Sequence, residues 1–365
     1  MKIQFDHQVF SLQNYGGVSR YFYELCKELN KINDTETYIP LVLSNNHYIS
    51  DMSITNHTEF MPHTNFRGKT RLKNTINKLN TQLRFNKFEY NIFHPTYYDP
   101  YFLNKIGDKP LVITIYDMIH EKFSEMFPSQ EYSAKNKKIL AHKASKIIAI
   151  SESTKQDIIE ILGIDENKIK VIYLGNSMSL SLSKTNIDLP KKYLLFVGYR
   201  GEYKNFNRFI DSAAHLLNDD CDLNVICVGG GEFSPSELGK FEKKDISKQL
   251  LQFDLDDDSL AYFYNNALAF VFPSLYEGFG MPVLEAFACE CPLICSNTSS
   301  LPEVAGNAAE YFDPYDVSDM QAVITKVLND SHLRSELVLK GKNRLPLFSW
   351  EATAKKTIEL YKSIL

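Results

Sequence analysis

Short apolar runs bounded by polar turns alternate with amphipathic, helix-length segments along the chain, and this alternation stops once and then restarts. In the first half the strand-like runs are Met1–Phe5, Thr37–Val42, Ile92–His94, Leu111–Ile115, Lys146–Ile150 and Lys170–Tyr173. Helical patterns fall between them, at Ser19–Lys31, Ser133–Ala144 and Ser153–Leu162. Continuous apolar strands alternating with helices predict an open parallel sheet covered on both faces. The stretch Asn176–Pro190 is Ser-rich, poor in large apolar side chains and closed by Pro, which reads as a linker. The alternation then resumes with strands at Tyr193–Val197, Leu223–Val228, Ala269–Phe272, Pro292–Cys295 and Ala309–Phe312. Helices are expected at Asn205–Leu217, Asp258–Asn266, Pro282–Cys289 and Val317–Asn329.

The chain is therefore read as two doubly wound, Rossmann-like α/β domains facing across a cleft, residues 1–180 and 181–347. A terminal helix, 348–365, is expected to pack back toward the first domain. The length of 365 residues fits two domains, each able to bury a core without disulfide staples. With 40 Lys+Arg against 45 Asp+Glu the net charge is −5, so no global basic field exists and nucleic acid is not an expected partner. The start, MKIQFDHQVF, has no basic region leading into an apolar one, and no run approaches the roughly 18–20 apolar residues of a membrane span. A cytoplasmic protein with reduced thiols is expected. Cys289-Glu-Cys291 and Cys295 lack the second ligand pair that structural zinc requires, so they read as buried thiols and no metal site is expected.

The densest chemical signal is Pro273-Ser-Leu-Tyr-Glu277-Gly-Phe-Gly280-Met281-Pro282-Val283-Leu-Glu285. A strand end, a glycine loop and a Pro suited to open a helix make an anion site from the helix N-terminus, with free N–H groups expected on Met281, Val283 and Leu284. Glu277 before the helix and Glu285 about one turn inside it are placed to accept hydrogen bonds from sugar hydroxyls flanking a pyrophosphate. A second loop after a strand, Gly198-Tyr-Arg200-Gly-Glu-Tyr-Lys204, offers a guanidinium fork and an ammonium to the same diphosphate. Two D-x-D strings, Asp220-Cys-Asp222 and Asp254-Leu-Asp256, read as polar loops, the second leading into a helix.

The paired glutamates around Gly-Phe-Gly-Met-Pro resemble the motif of retaining glycosyltransferases of the GT-B fold, and more narrowly glycosyltransferase family 4, also described as glycosyl transferases group 1. Within it the motifs run nearest to bacterial polysaccharide and lipopolysaccharide mannosyltransferases. The resemblance extends over nearly the whole chain, through Gly16-Gly17, Ser151-Glu-Ser-Thr154, Ser296–Glu303 and Phe348-Ser-Trp350. It implies that Glu285 binds the donor ribose, Glu277 the transferred sugar, Arg200 and Lys204 the leaving diphosphate, and the Leu250–Phe253 region, with Phe253, the base. It further implies metal-independent transfer with no cofactor beyond the donor, front-side attack assisted by the leaving phosphate, and an acceptor-binding first domain with a donor-binding second one. GDP-mannose is the expected donor, a UDP-sugar its alternative; the acceptor is a saccharide, free or lipid-linked, in surface polysaccharide synthesis. Family members often carry a His in the loop after the strand ending here at Ile115. Here the loop reads Tyr116-Asp117-Met-Ile-His120, so His120, Asp117 or Tyr116 takes the sugar-facing place, and His94 is a further candidate.

Between Arg67 and Lys87 lie seven basic residues and no acid, with Leu72, Ile76, Leu79 and Leu83 at helical spacing. Such a helix either lies on an anionic membrane at the inner face of the cell or packs its apolar stripe on the first domain. Rival readings are a nucleotide-sugar epimerase of the same fold, a two-lobed solute-binding protein and a non-catalytic transferase-like subunit. Retention of Glu277, Glu285, Arg200 and Lys204 weighs against the last. A dinucleotide dehydrogenase is disfavoured because Gly229-Gly-Gly231 does not make G-x-G-x-x-G.

Overall fold

The computed structural model describes residues 1–51, 55, 57–85, 87–180 and 187–365. They form two compact units, unit 1 comprising Met1–Gly175 with Ser349–Leu365, and unit 2 comprising Asn176–Phe348. Part of the expected linker, 181–186, lies outside the described residues.

Unit 1 contains strands β1 (Lys2–Phe5), β2 (Glu36–Tyr38), β3 (Ile92–His94), β4 (Val112–Ile115), β5 (Lys146–Ala149) and β6 (Ile169–Val171). All pairings are parallel, in the orders β2-β1-β3 and β4-β5-β6, and an isolated parallel bridge between Phe93 and Leu111 links the two. Its helices are α1 (Gln8–Leu12), α2 (Gly17–Leu29), α3 (Lys69–Arg84), α4 (Ile119–Lys122), α5 (Glu131–Lys143) and α6 (Glu152–Leu162). Ser151 caps α6 by accepting from the Thr154 amide, which explains the S-x-x-T spacing.

The α3 helix excludes one of the two expectations for it, that its apolar stripe packs on the first domain. Its buried stripe is Lys73, Asn77 and Thr81, while Leu72, Leu79 and Leu83 are 45%, 55% and 73% exposed. The reason is the irregular chain at 40–43, which presents backbone polar groups that need partners. Asn77 Oδ1 accepts from the Val42 and Leu43 amides at 3.1 and 3.0 Å, and its amide donates to Leu43 O at 2.7 Å. Polar satisfaction, rather than apolar burial, therefore fixes the rotation of α3, and the leucines do not pack on the unit.

Unit 2 holds β7 (Lys192–Val197), β8 (Leu223–Val228), β9 (Leu250–Phe253), β10 (Ala269–Phe272), β11 (Leu293–Ser296) and β12 (Glu310–Phe312), in one parallel sheet ordered β12-β11-β10-β7-β8-β9. The strand β9 and the helices over Pro235–Lys243, Leu301–Ala305 and Ser331–Arg344 are not marked by the sequence pattern. The helices are α7 (Phe206–Asp219), α8 (Pro235–Lys243), α9 (Asp257–Asn266), α10 (Met281–Ala288), α11 (Leu301–Ala305), α12 (Val317–Asn329) and α13 (Ser331–Arg344). Buried Leu194, Phe196, Phe206, Phe209, Ile210, Val225 and Ile324 form the centre of an apolar core between sheet and helices. Strand order reverses between β7 and β10, the position at which open α/β sheets bind ligands beyond their carboxyl ends.

The last helix, α14 (Trp350–Lys362), belongs to unit 1. Trp350 lies beside Tyr21, Thr353 donates to Tyr173 O at 2.7 Å, and Tyr361 Oη meets His94 Nδ1 at 2.6 Å. Gly175 is needed under this helix, since a Cβ there would lie 2.3 Å from the Trp350 nitrogen.

Candidate functional site

The β7–α7 loop and the β10–α10 loop meet at the switch point of unit 2, joined by a 2.8 Å bond from the Leu275 amide to Tyr203 O. Across them Lys204 Nζ lies 2.6 Å from Glu277 Oε1, with both side chains about 85% removed from solvent. Lys204 also lies over the Phe272 ring at 5.3 Å. The segment after β11 holds this loop from the other side: the Glu277 amide donates to Ser299 Oγ, and Ser300 Oγ donates to Glu277 O, each at 2.9 Å. That contact gives the Ser296–Glu303 motif its physical role.

Gly280 stands before α10 at φ +97°, where an L side chain is strained, and an added Cβ would lie 2.8 Å from Leu301 Cδ2. The helix begins at Met281 and Pro282 is its second residue, one position later than expected. The Val283 amide is not free, because it donates to Gly280 O at 2.9 Å in a tight first turn. Glu285, one turn in, accepts from Tyr264 Oη at 3.1 Å. Burial, reinforced by the Glu285 charge, pushes the Tyr264 phenol well up, so Tyr264 acts as a neutral donor that orients Glu285.

Arg200 departs from its expected partnership with Lys204. Its side chain is 4% exposed and its Nε donates to Glu237 at 2.7 Å. Its terminal nitrogens donate to the carbonyls of Gly229, Gly231 and Glu232 at 3.0, 2.9 and 2.9 Å. Four of its five N–H groups are thus committed to the glycine turn after β8. Gly230, at φ +76°, leaves room for this fork; a Cβ would sit 2.9 Å from Arg200 Nη1. Glu237 also closes a capping box with Ser234 at the start of α8. Burial raises its carboxyl, but Arg200 and Ser234 outweigh that and hold it below the usual range. The Ser-x-x-Glu spacing carried this signal in the sequence and was missed. Phe253 ends β9 with its ring edge-on to Phe263, and its carbonyl accepts from the Gly229 amide at 2.9 Å.

In unit 1, Gly16 precedes and Gly17 opens α2. A Cβ on Gly16 would lie 2.4 Å from Gln13 Oε1, which accepts from the Ser19 amide. His94 is not presented to a ligand: it is fully buried between Tyr361 Oη and Thr114 Oγ1, at 2.6 and 3.0 Å, and burial lowers its pKa to about 3. Tyr116 is likewise enclosed, its hydroxyl without a hydrogen-bond partner among the described residues. Asp117, on the loop after β4, and His120, in the short helix α4 that follows, remain as neighbours. Asp117 Oδ1 accepts from the Ile119 amide at 3.1 Å and keeps about a third of its side chain in solvent. His120 packs edge-on against Phe127, its Nδ1 without a hydrogen-bond partner among the described residues, and burial lowers its pKa although Asp117 opposes. Lys137, 1% exposed and absent from the sequence-based candidates, braces this loop through Asp117 O at 2.9 Å and Glu121 Oε2 at 3.0 Å.

The two D-x-D strings serve local structure. Asp256 caps α9 through the Ser259 amide, and Asp220 pairs with Lys192 at 2.8 Å. Five of the six cysteines are buried, and all six are free thiols. Among the described residues no cluster of three or more His, Cys, Asp or Glu side chains is arranged for a metal, and no helix is long and apolar enough to cross a membrane.

Unit 2 thus gathers two carboxylates, an ammonium and a helix N-terminus at its switch point. Residues 15–177 match the family described as Glycosyltransferase Family 4, and residues 179–344 match Glycosyl transferases group 1; the chain belongs to this family and is a glycosyltransferase. O-antigen chain mannosyltransferase B of Escherichia coli is 29% identical over 287 residues, 74% of each chain. Among solved structures, sucrose-phosphate synthase from Thermosynechococcus elongatus superposes with a TM-score of 0.81 at 18% identity, covering 100% of this chain and 99% of that one. Alr3699/HepE of Anabaena, in complex with UDP and glucose, gives 0.72 at 16% identity over the full length of both. These likenesses identify the fold as GT-B.

Proposed function

We propose that the chain is a retaining mannosyltransferase that moves mannose from GDP-mannose to a saccharide acceptor, free or lipid-linked, in bacterial surface polysaccharide synthesis. The observation that carries it is the Lys204–Glu277 pair set beside the α10 N-terminus, with Glu285 one turn further on. The name of the Escherichia coli relative supports mannose and polysaccharide. The likeness to a chain crystallised with UDP and glucose supports a UDP-sugar as the second reading.

Unit 2 binds the donor and unit 1 the acceptor. Glu285, oriented by Tyr264, accepts from the ribose hydroxyls, and Glu277 from the sugar. Breaking the anomeric C–O bond places negative charge on the leaving diphosphate, which Lys204 and the α10 N-terminus stabilise in place of a metal. The acceptor hydroxyl bonds the anomeric carbon from the same face, and its proton passes to the departing phosphate oxygen. Arg200 acts as a positioning residue that fixes the Gly229–Glu232 turn, and the Phe253 region borders the base. Asp117 and His120 are the sugar-facing groups of unit 1. The reaction runs at the inner face of the cytoplasmic membrane, contacted through 67–87; the outward Leu72, Leu79 and Leu83 beside Lys69, Arg71 and Arg84 support this.

Thermal-shift screening of nucleotide-sugars tests the donor, because a ligand at 100 times its Kd stabilises by about 2.7 kcal/mol. GDP-mannose should raise the midpoint most, and Glu277→Gln should retain GDP binding while losing at least a hundredfold in transfer. A larger shift with a UDP-sugar would replace the donor assignment, and undiminished transfer by Glu277→Gln would remove the site.

A further inference from the structure

A cavity of about 790 Å³ in unit 1 opens beside the first turn of α3. Its charged lining is Lys69, Arg71 and Lys73 with His63, against the single carboxylate of Glu59. Lys73 is the unusual member, being only 3% exposed. Buried ammonium groups need a counter-charge, and the other fully buried lysine of this unit has one: Lys137 pairs with Glu121 at 3.0 Å. Among the described residues no carboxylate pairs with Lys73, and its hydrogen bond is a long one of 3.5 Å to Asn45 Oδ1. Burial and the neighbouring Lys69 both disfavour its charge. The cavity is thus built with an excess of positive charge and a buried cation waiting for a partner.

The same wall carries a feature that fits a sugar. Asn14 and Asn45 line the cavity, and Tyr15, the residue after Asn14, stacks with His47, two residues past Asn45, with ring centroids 4.8 Å apart and planes 21° from parallel. The His47 amide donates to Asn14 O at 3.0 Å and fixes the pair of loops, while Tyr15 stays 66% exposed. An exposed aromatic face beside amide side chains suits the C–H face and hydroxyls of a pyranose.

We propose that this cavity binds the phosphate of a phosphorylated saccharide, with Lys73, Lys69 and Arg71 on the phosphate oxygens and Tyr15 under the sugar. As the acceptor's anchoring group, that phosphate rests on the transferase assignment above. The test uses the full chain saturated with GDP, so that the diphosphate site of unit 2 is filled. Mannose 1-phosphate, inorganic phosphate and neutral mannose are titrated calorimetrically, and saccharide-free phosphatidylglycerol vesicles are tested in parallel. Mannose 1-phosphate should bind more tightly than inorganic phosphate, and mannose not measurably. Lys73→Met should weaken both phosphates at least tenfold without lowering the thermal midpoint. Arg71→Gln, at an exposed position, should weaken them about threefold and serves if Lys73→Met fails to fold. Equal affinity in wild type and variants, binding of mannose as tight as mannose 1-phosphate, or vesicle binding that Lys73→Met abolishes while mannose 1-phosphate binding is untouched, overturns the proposal. Failure of GDP to bind would instead remove the donor assignment and leave the anion site to be judged on the phosphate titrations.

Discussion

Acidification should unload unit 1 through two histidines that the fold keeps uncharged. His94 sits between Tyr361 and Thr114, His7 beside Thr81 and Tyr101, and burial lowers each pKa from 6.5 to about 3. The folded value lies below the unfolded one, so below pH 6.5 the unfolded chain takes up protons that the folded chain refuses. The associated stability is whole above pH 6.5 and is lost as the pH falls toward 3. Each group contributes a slope of about 1.4 kcal/mol per pH unit, so at pH 5 each has cost about 2 kcal/mol and the pair about 4. A domain holds only about 5–15 kcal/mol in total. Asp6, whose buried carboxyl is pushed up, opposes this trend in part. The chain's one tryptophan, Trp350, lies in unit 1 at 6% exposure, so its fluorescence in urea titrations at pH 7.5, 6.5, 5.5 and 5.0 reports this unit. His94→Gln, which keeps a donor and an acceptor but does not titrate, should lower the slope by about 1.4 kcal/mol per pH unit; Asp6 and His7 are common to both proteins. An unchanged slope would refute the burial argument.

Arg200→Lys should destabilise unit 2 by about 1–3 kcal/mol, since one ammonium cannot serve three carbonyls and Glu237 together; a thermal midpoint equal to wild type would show that the brace contributes nothing. The outward leucines of α3 predict sedimentation with phosphatidylglycerol vesicles that falls steeply with salt and is lost in Leu79→Glu/Leu83→Glu. Equal sedimentation of that variant would place membrane contact elsewhere or nowhere.

Much of this was legible in the sequence because it depended on local pattern. Strands β3, β8 and β10 fall at Ile92–His94, Leu223–Val228 and Ala269–Phe272 as the apolar runs predict, and the Glu277–Glu285 loop stands at a strand end before a helix. What failed depended on distant partners. Arg200 and Lys204 are four residues apart, yet one is drawn to Glu237 and the other to Glu277. The leucine spacing left open which way α3 faces, because Asn77 answers backbone groups at 42–43, which no periodicity records. His94 and His120 looked alike in sequence; only the arrival of Tyr361 from the far end of the chain separates a buried neutral ring from a half-open one.

That arrival also orders the protein's synthesis. Residues 349–365 complete the first unit but leave the ribosome after the whole of the second. Until then Tyr21 lacks Trp350, and His94 lacks the hydroxyl that meets its Nδ1. The second unit can close as soon as Phe348 emerges, whereas the first must wait with part of its core open to water and to chaperones. A stop codon near residue 348 would therefore damage the amino-terminal unit, and a proteolytic cut in that region would free a segment whose loss is felt some 250 residues upstream, at His94.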